Sequence, residues 1–444
     1  MPRSSLAVLV LLTAAVCASG TAAAADLPDH PLTLEECVDL ALTFSPSLEL
    51  ASQDVRSAHA ALSYSHASYY PSALFIATRG RTGGTSFLDT PTGAVSFSTA
   101  TERRDAEVLL SQLVWETGRN DSVRSSRHSL GAALGREQAA VQDLVLAVAQ
   151  RYYAALAAEQ FVQVANADLA AALDHEKLVR ARVEVGEAAP VDTAPAEANV
   201  AAAEFRLLQD ENNADLAKAR LKREIGVPPI YSLQLALPND SFAETSAPSL
   251  EESLAVAHRN RPGLLGMRQS VLAAERDLHH AESSRWGRLG LSAEYDIGLA
   301  GARRDTDSWA VLVSATGVLF DGGTHRAEVD AARASLGSLE AREQDLLNQV
   351  GLEVESALLG VETARKSVQA AQKSVASAET QLAGAEAKYR EGVGIFVEIL
   401  DAQEQVARAR ANHVQAVYDY RTSLVAVERA TGTLAPTCPP AGLP

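Results

Sequence analysis

The chain contains an internal repeat, and this repeat limits the folds open to it more than any other feature. A Leu-Glu-Glu motif begins at Leu34 and again at Leu250, and a proline-led motif begins at Pro46 and again at Pro262, in both cases 216 positions later. Two longer matches follow in the same order: Trp115-Glu116-Thr117-Gly118 with Phe320-Asp321-Gly322-Gly323, and Ala181-Arg182-Val183…Gly186 with Ala387-Lys388-Tyr389…Gly392. Four ordered matches indicate a tandem duplication, so both halves should fold on one plan.

Each half is predicted to be mainly helical. Capping boxes at Thr33…Glu36 and Ser249…Glu252 mark a helix start in each copy. In the first half that helix is expected over about residues 35–70, ending before a proline. Longer helices follow, and their predicted ranges are Arg119 to about Val185, a return helix to about Arg223, Thr324 to Arg390, and a last helix to about Arg429. Helices of this length are typical of coiled coils and helical tubes.

Composition favours long helices and argues against a role with nucleic acids. Alanine, the strongest helix former, supplies about a fifth of the residues. Aromatic residues are only 5% of the chain, which is few for a large globular core. The formal net charge is −17 at pH 7, and an acidic surface repels the phosphate backbone of DNA and RNA. We therefore expect no nucleic-acid partner.

Residues 1–25 have the pattern of a secretory signal peptide. A positive charge, an apolar run and a small-residue cleavage site occur in that order. Cys17 falls within this peptide, so Cys37 and Cys438 would be the cysteines of an exported protein in an oxidising compartment. No later stretch has the roughly 18 consecutive apolar residues of a transmembrane helix, so any membrane crossing is expected to use β-strands.

Segments of alternating polarity between the helices predict strands. From Leu289 to Leu299 every second residue is apolar, and the residues between them are small or acidic. This pattern covers about the length that a tilted membrane strand needs. Arg104–Val114 shows the same pattern, and Ala73–Arg81 and Ser308–Phe320 are weaker versions. A soluble antiparallel sheet with one wet face is the alternative that the alternation leaves open.

The few aromatic residues lie near strand ends, which favours the membrane interpretation. Tyr70 precedes the first strand, Trp115 ends the second, Trp286 precedes the third and Phe320 ends the fourth. In an up-and-down sheet these ends share one level, so we predict an aromatic girdle at one membrane interface. Four strands cannot close a barrel, and lipid does not tolerate open edges. Three copies would supply twelve strands around an open lumen, and their helices could close a second tube.

With these elements in place, the sequence resembles the TolC-type outer-membrane efflux family from Leu34 to about Gly432. The resemblance rests on the duplicated opening helix, the strand-end signatures Leu113–Gly118 and Leu319–Gly323, and the hairpin-tip patterns Val185…Asp192 and Tyr389…Asp401. It implies a mainly α homotrimer in which a twelve-strand β-barrel in the outer membrane continues as a twelve-helix α-barrel in the periplasm. It also implies a periplasmic adaptor (membrane fusion) protein and an inner-membrane pump as partners, with outer-membrane lipid around the barrel.

The resemblance assigns docking and constriction roles to the hairpin tips. Tip residues that dock the adaptor correspond to Gly186, Glu187, Gly392 and Val393. Glu398 and Asp401 correspond to two acidic residues of the pore constriction. They lie three residues apart, so both face the same side of a helix.

A second set of tip residues bears on the closed state. By resemblance, Tyr389 and Asp192 correspond to a pair that links neighbouring hairpins when the channel is closed. Gly394 stands where some members carry an arginine that helps to lock the closed tip, so this chain is expected to hold its resting gate more loosely or by another contact.

The family resemblance also suggests a disulfide between Cys37 and Cys438, because both termini lie at the same belt around the helical tube in the family. Two separate thiols are the alternative, and the sequence leaves both open.

No pattern in the sequence points to catalysis. A phosphate-binding glycine loop, a paired-histidine zinc motif and a serine nucleophile elbow are all missing from it. His279 and His280 are adjacent and do not share a helix face, while His59 and His66 have no cysteine or further histidine beside them. We therefore expect no enzyme activity, no cofactor and no metal site.

These observations predict a passive exit duct in the bacterial outer membrane, serving a tripartite efflux or type I secretion system. A secreted periplasmic coiled-coil scaffold without channel activity is the alternative. The expected organisation is a signal peptide (residues 1–25), a first repeat (26–230), a linker (231–248), a second repeat (249–435) and a proline-rich tail (436–444).

Overall fold

The computed structural model describes residues 30–91, 93–186, 189–238, 248–300 and 303–434. The predicted signal peptide and the proline-rich tail lie outside the described residues. The first half consists of α1 (Leu34–Phe44), α2 (Pro46–Ala67), β1 (Ser72–Thr90), β2 (Gly93–Glu116), α3 (Arg119–Glu184) and α4 (Thr193–Glu224). The second half consists of α5 (Leu250–Asn260), α6 (Pro262–Ser283), β3 (Arg288–Ala300), β4 (Arg303–Thr316), α7 (Thr324–Arg390) and α8 (Phe396–Thr431). The same order of helices and strands therefore occurs twice.

A proline divides the opening helix of each half, so the single helix expected over residues 35–70 is wrong. Ser45 is extended (φ −71°, ψ 124°), because the ring of Pro46 disfavours the helical conformation in the residue before it. Arg261 is extended in the same way before Pro262. Both predicted capping boxes are confirmed at the starts of α1 and α5.

The four strands form one antiparallel sheet in the order β1-β2-β3-β4. Within the chain, the edge strands β1 and β4 each pair on one side only. β4 ends at Thr316, so the strand expected to reach Phe320 is shorter than predicted. The chain leaves the sheet at this point to reach a tight turn in which Gly322 and Gly323 both have positive φ.

The long helices lie side by side. α3 has 66 residues and is therefore about 100 Å long. It packs along α4 and along α8, and α8 packs along α7, which gives the order α4-α3-α8-α7. α2 and α6 cover the end of α3 nearest the sheet. Among the described helices, none is both long enough and apolar enough to cross a membrane.

The largest apolar core surrounds the middle of α3. Tyr152 and Leu156 of α3 are buried in one cluster with Cys37 of α1 and Leu221 of α4. The Tyr152 hydroxyl donates to the carbonyl of Ala236 at 2.7 Å, which ties the segment after α4 to this belt. The start and the middle of the chain are thereby fixed to the same helix.

A charged cluster fixes the second half of the chain to the same region. Glu353 of α7 accepts hydrogen bonds from Arg261, between α5 and α6, and from Arg429 of α8. Arg429 also contacts Asp143 of α3 at 2.7 Å. Burial opposes ionisation of Glu353, but the hydrogen bond and charge of Arg261, together with the charge of Arg429, outweigh it and keep the pKa of Glu353 below its ordinary value.

Two glycines allow α3 and α6 to approach each other closely. A Cβ atom on Gly135 would lie 2.6 Å from the Cα atom of Gly266, a distance that real side chains do not reach. Gly263, one turn earlier on α6, has open space, since its nearest neighbour would be the Cβ atom of Ala139 at 3.9 Å. The helix crossing therefore depends on the missing side chain at Gly135.

We expect Gly135→Ala to destabilise the folded protein even though alanine is the better helix former. Overpacking a tight contact costs about 1–3 kcal/mol, and the gain in helix propensity returns about 1 kcal/mol of that. Gly263→Ala is the matched control and should leave the melting temperature unchanged or raise it. Thermal unfolding followed by circular dichroism measures both variants, and equal melting temperatures would contradict this assignment of the crossing.

Candidate functional site

The two helical hairpins end in similar glycine turns. Gly186 follows α3 with a φ of 76°, and Gly392 follows α7 with a φ of 78°. Backbone in this left-handed region strains any residue with a side chain, so glycine suits both turns. Both glycines have open space around the position of a Cβ atom.

Exposed aliphatic side chains surround these turns. Val393, predicted from the sequence as a docking residue, is 77% exposed. The sequence reasoning missed four neighbours that are also exposed, namely Val185, Val191, Ile395 and Val397. Glu187, the remaining predicted docking residue, lies outside the described residues. Exposed apolar side chains grouped at one end of a molecule are typical of a protein interaction surface.

A buried cluster joins the two hairpins just above the turns. Tyr389 of α7 is only 7% exposed and packs with Val179 of α3, Phe396 and Ile399 of α8, and Ala196 of α4. The rings of Tyr389 and Phe396 lie 5.8 Å apart. Side chains from all four long helices therefore meet at this point.

Polar contacts from α3 to α7 reinforce this cluster. The Arg182 guanidinium lies 4.6 Å from the centre of the Tyr389 ring and donates to the Tyr389 carbonyl at 2.9 Å. About two turns earlier, His175 lies 3.7 Å from Glu386. Burial lowers the pKa of His175, although the charges of Glu386 and Asp174 oppose that change. The sequence pattern gave no role to Arg182 or His175, because their partners are about 200 residues away in the chain.

The structure does not bring Tyr389 and Asp192 into a hydrogen bond. The Tyr389 hydroxyl is buried and has no hydrogen-bond partner among the described residues. Asp192 ends a short 3₁₀ turn at the start of α4 and makes no side-chain capping bond. The predicted closed-state contact is thus not formed in this conformation.

Gly394 has no room for the side chain found at this position in some members of the family. A Cβ atom there would lie 3.0 Å from the Cβ atom of Lys388 and 3.1 Å from the amide nitrogen of Tyr389. The glycine amide donates to the Lys388 carbonyl at 3.1 Å, which folds the turn tightly onto the end of α7. Arg182 therefore stands as the arginine that contacts Tyr389 in this tip.

Glu398 and Asp401 occupy the exposed side of α8. Both side chains are exposed, whereas their neighbours Ile399 and Ala402 are buried against the other helices. The spacing predicted from the sequence thus holds, since the two carboxylates leave α8 on one face, within two turns of the hairpin tip.

One face of the sheet is apolar across all four strands. Directly paired residues share a face, and the row Phe75, Val108, Tyr295 and Trp309 crosses the whole sheet. The next row on this face consists of Ala73, Leu110, Ala293 and Val311. The opposite face alternates with it and carries Glu107, Glu294 and Asp296 among apolar and small residues. This is the pattern of a membrane barrel strand, apolar outside and polar inside.

The predicted aromatic girdle lies at one end of this sheet. Tyr70, Trp115 and Trp286 flank the ends of β1, β2 and β3, and all three side chains are exposed. Phe320 is also exposed, but it lies in the turn beyond β4 and not at a strand end.

A second aromatic row was missed by the sequence reasoning. Tyr295 and Trp309 face each other six positions further along the strands than Leu289, about 20 Å away. The Tyr295 hydroxyl donates to Asp307 at 3.4 Å, as expected where the apolar band gives way to polar surface. Each aromatic residue stood alone in the sequence, and strand register is what puts them together.

Cys37 is a fully buried thiol in the core beside α3. Burial, together with the charge of Glu36, raises its pKa to about 12, so it is an unreactive thiol near neutral pH. Cys438 lies outside the described residues, and the disulfide between the two stays a prediction. Within the described part of the chain, no group of three or more histidine, cysteine or acidic residues is placed to hold a metal ion.

Comparison with known proteins gives this geometry a family. The outer membrane efflux protein family matches residues 37–227 and 254–433, one segment in each half. Protein CyaE of Bordetella pertussis is 27% identical over 411 residues, which cover 91% of this chain and 84% of CyaE. The alkaline protease secretion protein AprF of Pseudomonas aeruginosa is 25% identical over 333 residues, which cover 70% of this chain and 66% of AprF.

A solved structure agrees on the fold. The outer membrane channel CmeC of Campylobacter jejuni superposes with a TM-score of 0.77 at 18% identity, over 91% of this chain and 87% of CmeC. The family and this fold are those of channels, which agrees with the lack of a catalytic pattern. Two family-matched halves, the apolar sheet face and the long helical hairpins lead to one assignment: this chain belongs to the outer membrane efflux protein family and is an outer-membrane protein with a large periplasmic helical part.

Proposed function

We propose that the protein is a homotrimeric exit duct through which an inner-membrane pump and a periplasmic adaptor deliver substrates to the cell exterior. The observation that carries this proposal is the four-stranded sheet, which has two unpaired edges and one apolar face. In lipid, every backbone amide and carbonyl needs a partner, so β4 of one copy must pair with β1 of the next. Three copies close a barrel of twelve strands, with the acidic face around the lumen.

The names of the relatives cover two uses of such a duct. AprF is described as a secretion protein for alkaline protease, and the family name describes efflux. Both uses need the same parts: an outlet in the outer membrane, a helical tube across the periplasm and a tip that meets the adaptor. We propose that the exposed aliphatic tip residues, together with Glu187, form the adaptor-docking surface.

The membrane assignment can be tested against the scaffold alternative with two adjacent residues of β4. Val311 lies on the apolar face and Leu312 on the opposite face, and the two are almost equally exposed in one chain (59% and 56%). Val311→Arg should strongly reduce assembly into outer membrane, because arginine facing lipid near the bilayer middle costs about 2–4 kcal/mol. Leu312→Arg, which faces the lumen, should assemble normally.

Heat-resistant oligomers in isolated outer membranes measure the assembly of both variants. A soluble scaffold would expose both positions to water and tolerate both changes equally. Equal assembly of the two variants would therefore contradict the barrel and support the scaffold.

We propose that Glu398 and Asp401 form the selective constriction of the duct. Three copies of each would bring six carboxylates to a narrow neck, and rings of acidic side chains favour cations over anions. The alternative is a solvated acidic helix face, which would have no effect on conduction.

Single-channel recording in planar bilayers tests the constriction. Glu398→Ala with Asp401→Ala should weaken cation selectivity and any block by divalent cations. Glu404→Ala is a matched control, since this residue is also exposed on α8 but lies further from the tip. If the double variant keeps the selectivity and block of the parent, the constriction lies elsewhere.

We further propose that Arg182 holds the two hairpins together in the resting tip. Its contacts run from α3 to Tyr389 of α7, so they join one hairpin to the other. Arg180, two residues earlier, bonds Glu176 of α3 and Glu197 of α4 and therefore stays within the first hairpin.

Arg182→Gln should raise the conductance of the resting channel, because the second hairpin loses a cation–π contact and a hydrogen bond to the first. Each such contact contributes roughly 1 kcal/mol. Arg180→Gln should leave the resting conductance unchanged. If both variants behave alike in bilayer recordings, Arg182 has no special role between the hairpins.

A further inference from the structure

The two outermost long helices, α4 and α7, each carry an exposed stripe that follows a seven-residue repeat. We call the first the α4 stripe, and it consists of Ala194, Ala198, Ala201, Phe205, Leu208, Asn212, Asp215 and Ala219. We call the second the α7 stripe, and it consists of Thr363, Ser367, Ala370, Ser374, Ser377, Gln381 and Gly384. Spacings alternate between three and four residues in both, which is the a/d pattern of a coiled coil.

Each of these helices also has a second, buried seam with similar spacing. On α4 the buried residues are Ala196, Ala203, Ala214 and Leu221, and this helix packs on α3. On α7 they include Val361, Ala364, Val368 and Ala378, which pack on α8. A helix with one covered seam and one exposed seam is suited to pack between two neighbours, as in a closed helical tube.

We propose that the α4 stripe packs against the α7 stripe of a second copy of this chain. α4 and α7 stand at the two ends of the order α4-α3-α8-α7, so the same two surfaces would meet at every junction of a ring. This inference rests on the homotrimer of the proposed function and names the helical surfaces that join its copies. The junction continues downward from the pairing of β4 with β1.

The two stripes are complementary in size at matching heights. α4 starts at the hairpin tip and α7 ends there, so distance from the tip can be counted in residues. Phe205 and Ser377 both lie about 19 Å from the tip, and Leu208 and Ser374 both lie about 23 Å from it. Phe205 and Leu208 are 67% and 65% exposed, unusually high for such large apolar side chains. Large side chains thus face small ones, which is the condition for knobs-into-holes packing.

Charge supports the same pairing. Glu197, Glu204 and Glu211 each precede a residue of the α4 stripe, and Lys366 and Lys373 each precede a residue of the α7 stripe. α4 and α7 run in opposite directions, and in an antiparallel pair the residues that precede the seam on both helices lie on the same flank. All five side chains are exposed. The acidic flank of one copy therefore meets the basic flank of the next, as e and g charges do in coiled coils.

Disulfide cross-linking tests the contact directly. Asn212 and Ala370 both lie about 29 Å from the tip, one in each stripe. In mature protein carrying Cys438→Ser, with Cys37 buried, we expect Asn212→Cys with Ala370→Cys to give covalent dimers and trimers on oxidation. Within one chain α3 and α8 lie between the two positions, so the bond must join different copies.

Asn213 provides the matched control. It is the same residue type one position further along, exposed, and turned by about 100° around α4 away from the stripe. Asn213→Cys with Ala370→Cys should give few or no covalent oligomers. Cross-linking from Asn213 as strong as from Asn212 would overturn the proposed packing.

Native mass spectrometry of the reduced variants separates this inference from the proposed function. If the protein is a trimer and Asn212 does not cross-link to Ala370, the trimer stands and the α4–α7 junction is wrong. If the protein is a monomer in detergent and in lipid, the trimer itself is wrong, and the junction falls with it.

Discussion

Unpaired strand edges cannot remain in lipid, and the rest of this structure follows from that requirement. The sheet of one chain has an apolar face for the bilayer but leaves the outer sides of β1 and β4 without backbone partners. Water would satisfy those groups at little cost, whereas a bilayer core offers none and each orphan costs several kcal/mol. The chain therefore carries only part of a barrel, and copies of it must complete the barrel together. The duplication makes this economical, since one strand pair and one hairpin serve twice.

The helices meet a different requirement, because they must form a wall and not a core. Apart from the belt around Tyr152, buried side chains lie in narrow seams rich in alanine and valine. Small seam residues let long helices run close together with little aromatic content, and Gly135 allows the closest crossing. The tip is held differently: Arg182 and Tyr389 connect helices that otherwise share little surface, so a small number of contacts joins the hairpins there.

Local patterns in the sequence predicted most of the elements. Period-two alternation placed Leu291 and Tyr295 on one face of β3, and the starts of α3 at Arg119 and α7 at Thr324 agree with the prediction. Contacts between distant segments could not be predicted in this way. The row of Tyr295 and Trp309 depends on strand register, and the contact of Arg182 with Tyr389 depends on how two hairpins pack. Pro46 was a readable signal for the break in the first helix, since the residue before a proline avoids the helical conformation.

Electron cryo-microscopy of the mature protein in lipid nanodiscs measures the central claim most directly. The account predicts a particle with threefold symmetry, in which one continuous twelve-strand barrel lies in the disc and one helical tube extends from it, with Glu398 and Asp401 lining its narrow end. A monomer with a free sheet edge, a ring with a different number of copies, or a particle that stays outside the lipid would contradict it.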